Sequence, residues 1–349
     1  MKVSELKVLE LASVLAGPQV GSFFSELGAQ VIKVENETTQ GDVTRNWRLP
    51  SESNTTIISA YYASANTGKE TLFINLKSQE GKSEIVELIK TCDIIISNFK
   101  PGDAVKFGLD YESCKKINSK IIYGEITGFG KKNNRTAFDV ILQAETGYIS
   151  MNGTNSDNLA KLPVAFIDLF AAHQLKEGLL LALLENRFPA LVSVSLYDSA
   201  IASLANQASN YLMESHIPKP MKTLHPNIAP YGEIYLTKDL KQVTVAIGTE
   251  RHFKRLLELL KLEYQEQFNT NAKRVKNRLE LNKLIEPAIS RLSRTDFLSK
   301  ANELKIPAGG VYNLKEVFEQ DAAKDLVISE TLENQEVKKV KTVVFSISS

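Results

Sequence analysis

The stretch KVLELASVLAGPQVGSFFSELGAQVIKVE, residues 7–35, decides the fold. KVLELAS (7–13) has the apolar run of a buried strand that tolerates one acid, Glu10. AGPQVGSFFSELGA (16–29) follows as a short helix, with Pro18 near its start, where a missing N–H costs little. VIKVE (31–35) is a second strand. A β-α-β opening predicts a parallel sheet with a right-handed crossover.

The pattern continues outward from that unit. TLFINL (71–76), DIIISNF (93–99), KIIYGEITGFG (120–130) and LVSVSL (191–196) read as further strands. Between them, SQEGKSEIVELIKTC (78–92), residues 113–119 and FDVILQAETGYISM (138–151) read as helices, and YDSAIASLANQASNYLMES (197–215) as one long helix. After residue 216 the grammar changes. IPKPMKTLHPNIAP (217–230) carries four prolines and reads as a boundary. EIYLT and QVTVAIGT then suggest a hairpin. Residues 250–263, 272–292 and 294–305 suggest three helices, IPAGGVYN (306–313) a turn region, LKEVFEQDAAKDL (314–326) a helix, and the tail two more strands. The fold class expected is α/β: a large Rossmann-like parallel-sheet domain over 1–215, to which 330–349 returns, and a smaller α+β domain over 225–325.

Composition excludes several function classes. The formal net charge of 349 residues is +1, so bulk electrostatics favours no polyanionic partner. The basic run KRVKNR (273–278) lacks interleaved aromatics and reads as a solvated helix face, so no nucleic acid is expected. The longest apolar runs, such as GLLLALL (178–184), are too short to span a bilayer, and no membrane role is expected. Glu5 and Glu10 spoil a secretory leader. Two cysteines, Cys92 and Cys114, make no disulfide framework. A reducing, cytoplasmic setting is expected.

Nucleotide and metal motifs are also missing. An acid closing the second strand, Glu35, is what a dinucleotide fold uses to hold a ribose. However, the first turn reads SVLAGPQVG rather than G-x-G-x-x-G, and Pro18 sits where a phosphate loop needs a free amide. No Walker loop and no G-x-S-x-G elbow is present. His173, His216, His225 and His252 are scattered without ligand spacing, so no metal is expected.

One acid stands out. Asp168 lies inside VAFIDLFAA (164–172), and Pro163 cannot sit comfortably within a preceding helix. Ala171, Ala172, Leu175, Leu179, Ala182 and Leu183 follow helical spacing, with Gly178 on the same face, where it would let another backbone approach. Asp168 therefore opens a largely buried helix of about 19 residues, roughly 28 Å long. Position alone favours a helix N-cap. The same place suits a nucleophile, because a helix N-terminus holds a carboxylate ionised and fixed.

The motifs VLELASVLAGP, LGAQVIKVE, INLKSQEGK, SNFKPGDAVKFGLDYE, GEITGFG, FDVILQAETG, ALLENR, PNIAPYGEIYLT and IPAGGVYN, in this order, resemble the class III coenzyme A transferases, the CaiB/BaiF family that includes formyl-CoA transferase. The resemblance runs almost end to end. It implies the interlocked-dimer CoA-transferase family III fold, an enzyme that moves CoA from an acyl-CoA donor to a carboxylic acid acceptor, and CoA as substrate with no permanently bound cofactor. It also implies Asp168 as the nucleophile, passing through an aspartyl anhydride and an aspartyl-CoA thioester. For CoA it implies Val14 and Leu15 beside the first turn, Asn75 and Lys77 near the adenine and phosphates, and Asn98, Phe99 and Lys100 as a strand-end wall. Lys106 would pair with a phosphate, and the segment Arg135 to Asp139, including Phe138, would approach the pantetheine.

Departures from the family pattern open two alternatives. Leu15 replaces a glutamine, Asn36 stands where arginine is common, the turn after ALLENR is shortened to FPA, and the glycine-rich loop of formyl-CoA transferase has no counterpart. These departures suggest a CoA-binding paralogue with little catalysis. The same fold hosts α-methylacyl-CoA racemases, whose proton-shuttling histidine corresponds to Phe138, which cannot move a proton.

Overall fold

A computed structural model describes residues 2–53, 56–130 and 133–348. The chain divides into two compact units. The first comprises Met1–Ile149, Lys161–Pro218 and Asp325–Ser349, and the second Ser150–Ala160 and Lys219–Lys324.

The first unit is built on a parallel sheet. Its strands are β1 (Lys7–Leu11), β2 (Gln30–Asn36), β3 (Glu70–Ile74), β4 (Ile94–Ser97), β5 (Ile122–Thr127) and the edge strand Ala190–Ser195. In space they run β3-β2-β1-β4-β5 and then the edge strand. The strand order reverses between β1 and β4, whose register begins at Val8 and Ile94. That is the switch point at which open α/β sheets bind ligands, outside the carboxyl ends of the strands.

Both faces of the sheet are covered, which is why its central strands are apolar runs rather than alternating ones. Ile94 and Ile96 pack with Val20 and Phe24 of helix α1 (Ala16–Glu26) and with Leu175 and Leu179 of the helix Phe166–Leu184. Ile95 points the other way, among Leu9, Ile85 and Ile89. The acid tolerated in β1 is explained by its partners. Lys33, opposite Glu10 in the sheet register, lies 3.0 Å from it, and Lys69 lies 2.7 Å from it, with all three side chains fully buried. Gly21 of α1 makes room, since a Cβ there would fall 1.8 Å from Glu10 Oε2.

The tail returns to this unit as the hairpin Val327–Leu332 and Gln335–Val340. Glu333 pairs with Arg45 at 2.8 Å, Gln335 Oε1 accepts from the Ile58 amide at 3.0 Å, and Lys339 pairs with Glu26 at 2.6 Å.

The second unit has an antiparallel sheet in the order Ala308–Gly310, Gln242–Ala246, Tyr231–Leu236. Helices Glu250–Leu260, Arg278–Ile289 and Arg294–Glu303 enclose a core around Val243, Phe253, Ile285 and Phe297. The expected hairpin is present, but the glycine-containing turn region supplies a third strand. Helices expected as continuous are divided at four places, one of them between Asp139–Glu145 and Tyr148–Met151. Leu196–Ala202 is followed by Ala205–Glu214, Asn271–Lys276 by Arg278–Ile289, and Leu314–Phe318 by Asp321–Lys324. Among the described residues, no helix is long and apolar enough to cross a membrane.

Candidate active site

Asp168 is the third residue of the 19-residue helix Phe166–Leu184, not its cap. Ala165 is the N-cap and offers no side-chain bond. Asp139, at the start of the helix Asp139–Glu145, caps the helix instead. Its Oδ2 accepts from the amides of Ile167 at 2.8 Å and Asp168 at 3.3 Å. Gln143 donates to Asp139 Oδ1, and its own carbonyl accepts from Leu162 N at 2.8 Å, so one side chain pins both ends of the segment entering the helix.

This arrangement inverts the expected electrostatics. The first-turn amides that would have held Asp168 ionised are taken by Asp139. Asp168 is 9% exposed, and no donor to its carboxylate is found among the described residues. Burial first, and then the negative charge of Asp139, push its carboxyl up to about 7. Tyr61, whose ring is 5.0 Å from that of Trp47, senses the same acids; burial and the charge of Asp168 push its phenol up to about 12.

The facing wall is the loop that leaves β1. Val14 has φ +71°, a left-handed conformation that costs a β-branched residue about 1–3 kcal/mol. Two polar groups hold the loop. Asp42 Oδ2 accepts from Val14 N at 3.1 Å. Asn98, just past β4, accepts from Ser13 N at 2.9 Å and donates to Ser13 O at 2.7 Å. Asp42 is buried. Burial alone would raise its carboxyl, but Lys33 at 3.2 Å and the Thr44 amide and hydroxyl hold it below the usual carboxylate range.

Together these walls form a cleft at the switch point. Val14, Leu15, Asn98, Phe99, Lys100, Arg135 and Phe138 line it with Asp168. A second cleft opens beside it, past the ends of β1 and β2, and shares Ser13, Asn98, Phe99 and Lys100 with the first. Seven of the expected CoA-contacting residues thus stand around one carboxylate. Both polar ends of Asn98 are spent on Ser13. Arg135 is ion-paired with Glu145 and lies 4.3 Å over the Phe129 ring.

The remaining expected residues lie elsewhere. Asp139 is buried behind Asp168 as its helix cap and lines neither cleft. Asn75 accepts from the amide of Lys77 at 3.0 Å, and only their neighbour Leu76 reaches the second cleft. Lys106 sits on the short helix Asp103–Phe107 and lines neither cleft. Sequence reasoning missed Asp42, Lys33 and Tyr61. A signal existed for the first two, because opposite charges inside adjacent apolar strands, Glu10 and Lys33, require a buried network. Among the described residues, no cluster of histidine, cysteine or acidic side chains could hold a metal ion.

Asp168, with no donor to its carboxylate among the described residues, stands in a cleft at the switch point of a parallel sheet. The chain belongs to CoA-transferase family III, whose family model matches residues 3–349. It is 34% identical over 328 residues to the succinate–glutarate CoA-transferase of Agrobacterium fabrum, covering 90% of this chain and 81% of that one. It is 32% identical to the human succinyl-CoA:glutarate CoA-transferase, with 90% and 72% covered. A CaiB/BaiF family protein of known structure from Brucella suis is 34% identical, with a TM-score of 0.82 and 99% and 92% covered.

Proposed function

We propose that this CoA-transferase moves CoA between an acyl-CoA and a carboxylic acid by covalent catalysis on Asp168. The observation that carries the reading is the buried Asp168 carboxylate, without a donor among the described residues, facing the cleft at the β1/β4 switch point. A carboxylate without hydrogen-bond donors is poorly solvated and therefore a better nucleophile than one in water.

In the proposed cycle an Asp168 oxygen attacks the thioester carbonyl. The C–S bond breaks, giving a mixed anhydride and CoA thiolate. The thiolate attacks the aspartyl carbonyl and expels the donor's carboxylate, leaving an aspartyl-CoA thioester. The acceptor carboxylate attacks that thioester and again frees the thiolate. The thiolate then takes the acceptor's acyl group, and Asp168 is regenerated as a carboxylate. No proton is consumed over the cycle, and water must be kept out because it would hydrolyse either intermediate.

Val14, Leu15, Asn98, Phe99, Lys100, Arg135 and Phe138 are proposed to surround the thioester end of CoA. Asn75, Lys77 and Lys106 are proposed to contact its phosphates and adenine. The relatives named for succinate and glutarate support a short dicarboxylate as acceptor, with Lys100 and the Glu145-paired Arg135 as the cations lining the cleft. A homodimer is proposed as the working form.

Mass spectrometry of protein incubated with succinyl-CoA tests the mechanism. An adduct on the peptide carrying Asp168, convertible to a hydroxamate by hydroxylamine, is expected. Asp168→Ala should lose the adduct and at least about 10³-fold in kcat, the scale for removing a nucleophile. An active Asp168→Ala variant would end the reading.

A further inference from the structure

The cleft wall opposite Asp168 rests on a backbone conformation that its own side chain disfavours. Val14 is β-branched, yet its φ is +71°. Glycine adopts that region freely, whereas valine does so only when its surroundings impose it. The imposition comes from Asp42. Its carboxylate takes the Val14 N–H at 3.1 Å through Oδ2 and approaches it at 3.4 Å through Oδ1. Asp42 is itself held on its other sides. Lys33 Nζ lies 3.2 Å from Oδ2, and the Thr44 amide and hydroxyl donate to Oδ1 at 3.0 and 2.8 Å. The backbone amide of Asp42 donates to Glu35 at 2.9 Å. Lys33 also donates to Glu10 at 3.0 Å and to the Ala12 carbonyl at 2.9 Å. A buried chain of charge therefore runs from the sheet centre to the loop and grips it at Ala12 and at Val14.

We propose that Asp42 is a positioning residue for CoA transfer, locking Val14 in its left-handed conformation and so fixing the Leu15–Ala16 wall against Asp168. Freed from Asp42, Val14 returns to negative φ, and the peptide planes on either side of it turn. Leu15 and Ala16 line the cleft directly after that kink. Displacements of about 1 Å in such a wall cost about 10²-fold in rate. Asp42 lines the second cleft but not the one that holds Asp168, so its effect on the reacting end of the substrate runs through Val14. The inference rests on the reading of Asp168 as the nucleophile.

A double-mutant cycle between positions 42 and 14 tests it, with kcat, KM for succinyl-CoA and Tm measured on the purified full chain. Asp42→Asn in the wild-type background is expected to lower kcat by about 10–100-fold, with KM changed less than kcat. In the Val14→Gly background the left-handed conformation needs no enforcement, and the same substitution should cost at least about ten-fold less. An equal penalty in both backgrounds, or no penalty in either, overturns the inference. If Asp42→Asn does not fold, Asp42→Glu carries the same cycle while leaving Lys33 with a charged partner. Hydroxylamine trapping separates the two failures. No trapped adduct on Asp168 in the wild-type protein means that the nucleophile reading fails, whereas a trapped adduct with an unchanged penalty means that only the role of Asp42 fails.

Discussion

At the residue scale, the proposed chemistry turns on a carboxyl group that is costly to ionise. A native carboxyl near 7, against an ordinary 3.8, makes the folded state bind a proton that the unfolded chain releases. That contribution to stability is complete below about pH 4 and disappears as pH rises through about 7. The full shift corresponds to at most about 4 kcal/mol. Asp168→Asn, neutral at every pH, should therefore raise Tm at pH 8 and leave it little changed at pH 4. The proposed nucleophile needs the opposite protonation state, so kcat should climb with pH through about 7. Asp139→Asn should move that rising limb to lower pH, only partway to the ordinary value, because burial is the larger cause. A pH–rate profile of both proteins with one acyl-CoA checks the shift. Here the sequence was legible only in part. VAFIDLFAA located the acid and its helix, but the cap comes from Asp139, 29 residues upstream, and helical spacing holds no trace of a bond that long.

At the element scale, close approach matters more than propensity. Gly178 was legible as a position of close approach, but the neighbour is the Val192 side chain of the edge strand rather than a backbone; a Cβ at 178 would fall 2.4 Å from Val192 Cγ1. Gly178→Ala should destabilise the protein by about 1–3 kcal/mol from overpacking, reduced by the roughly 1 kcal/mol that alanine gains within a helix. Gly178→Ala with Val192→Ala should recover most of that loss relative to Val192→Ala alone, as read by urea denaturation. The divided helices show where periodicity misleads. Apolar spacing runs unbroken through 197–215, yet Ser203 bonds the Ala200 carbonyl and the Tyr148 hydroxyl, and Ala205 has φ +47°. At Asn277 the side-chain amide donates to the Gln267 carbonyl at 3.0 Å and the helix restarts one residue later. Tertiary bonds of this kind override a pattern that is locally continuous.

At the scale of the whole molecule, the β-α-β opening fixed a parallel sheet, but not the order in which later strands join it. The reversal between β1 and β4 is what brings the loop after β1, the end of β4 and Asp168 around one cleft. The proposed homodimer bears on exposed apolar side chains of the first unit. The helix Ala205–Glu214 spans ten residues and buries none of them, with Leu212 and Met213 78% and 79% exposed. Helices shorter than about 12–15 residues are marginal in water without packing. Leu184, at the end of the Asp168 helix, is 79% exposed as well. A second copy of the chain covering these side chains, as in the proposed homodimer, would account for both features. Sedimentation equilibrium should then give twice the chain mass. Leu212→Glu combined with Met213→Glu should lower that mass or leave the protein aggregated, because charge placed in a buried interface cannot be solvated. A monomer that keeps full activity at micromolar concentration would leave the exposed helix unexplained and the dimer reading without support.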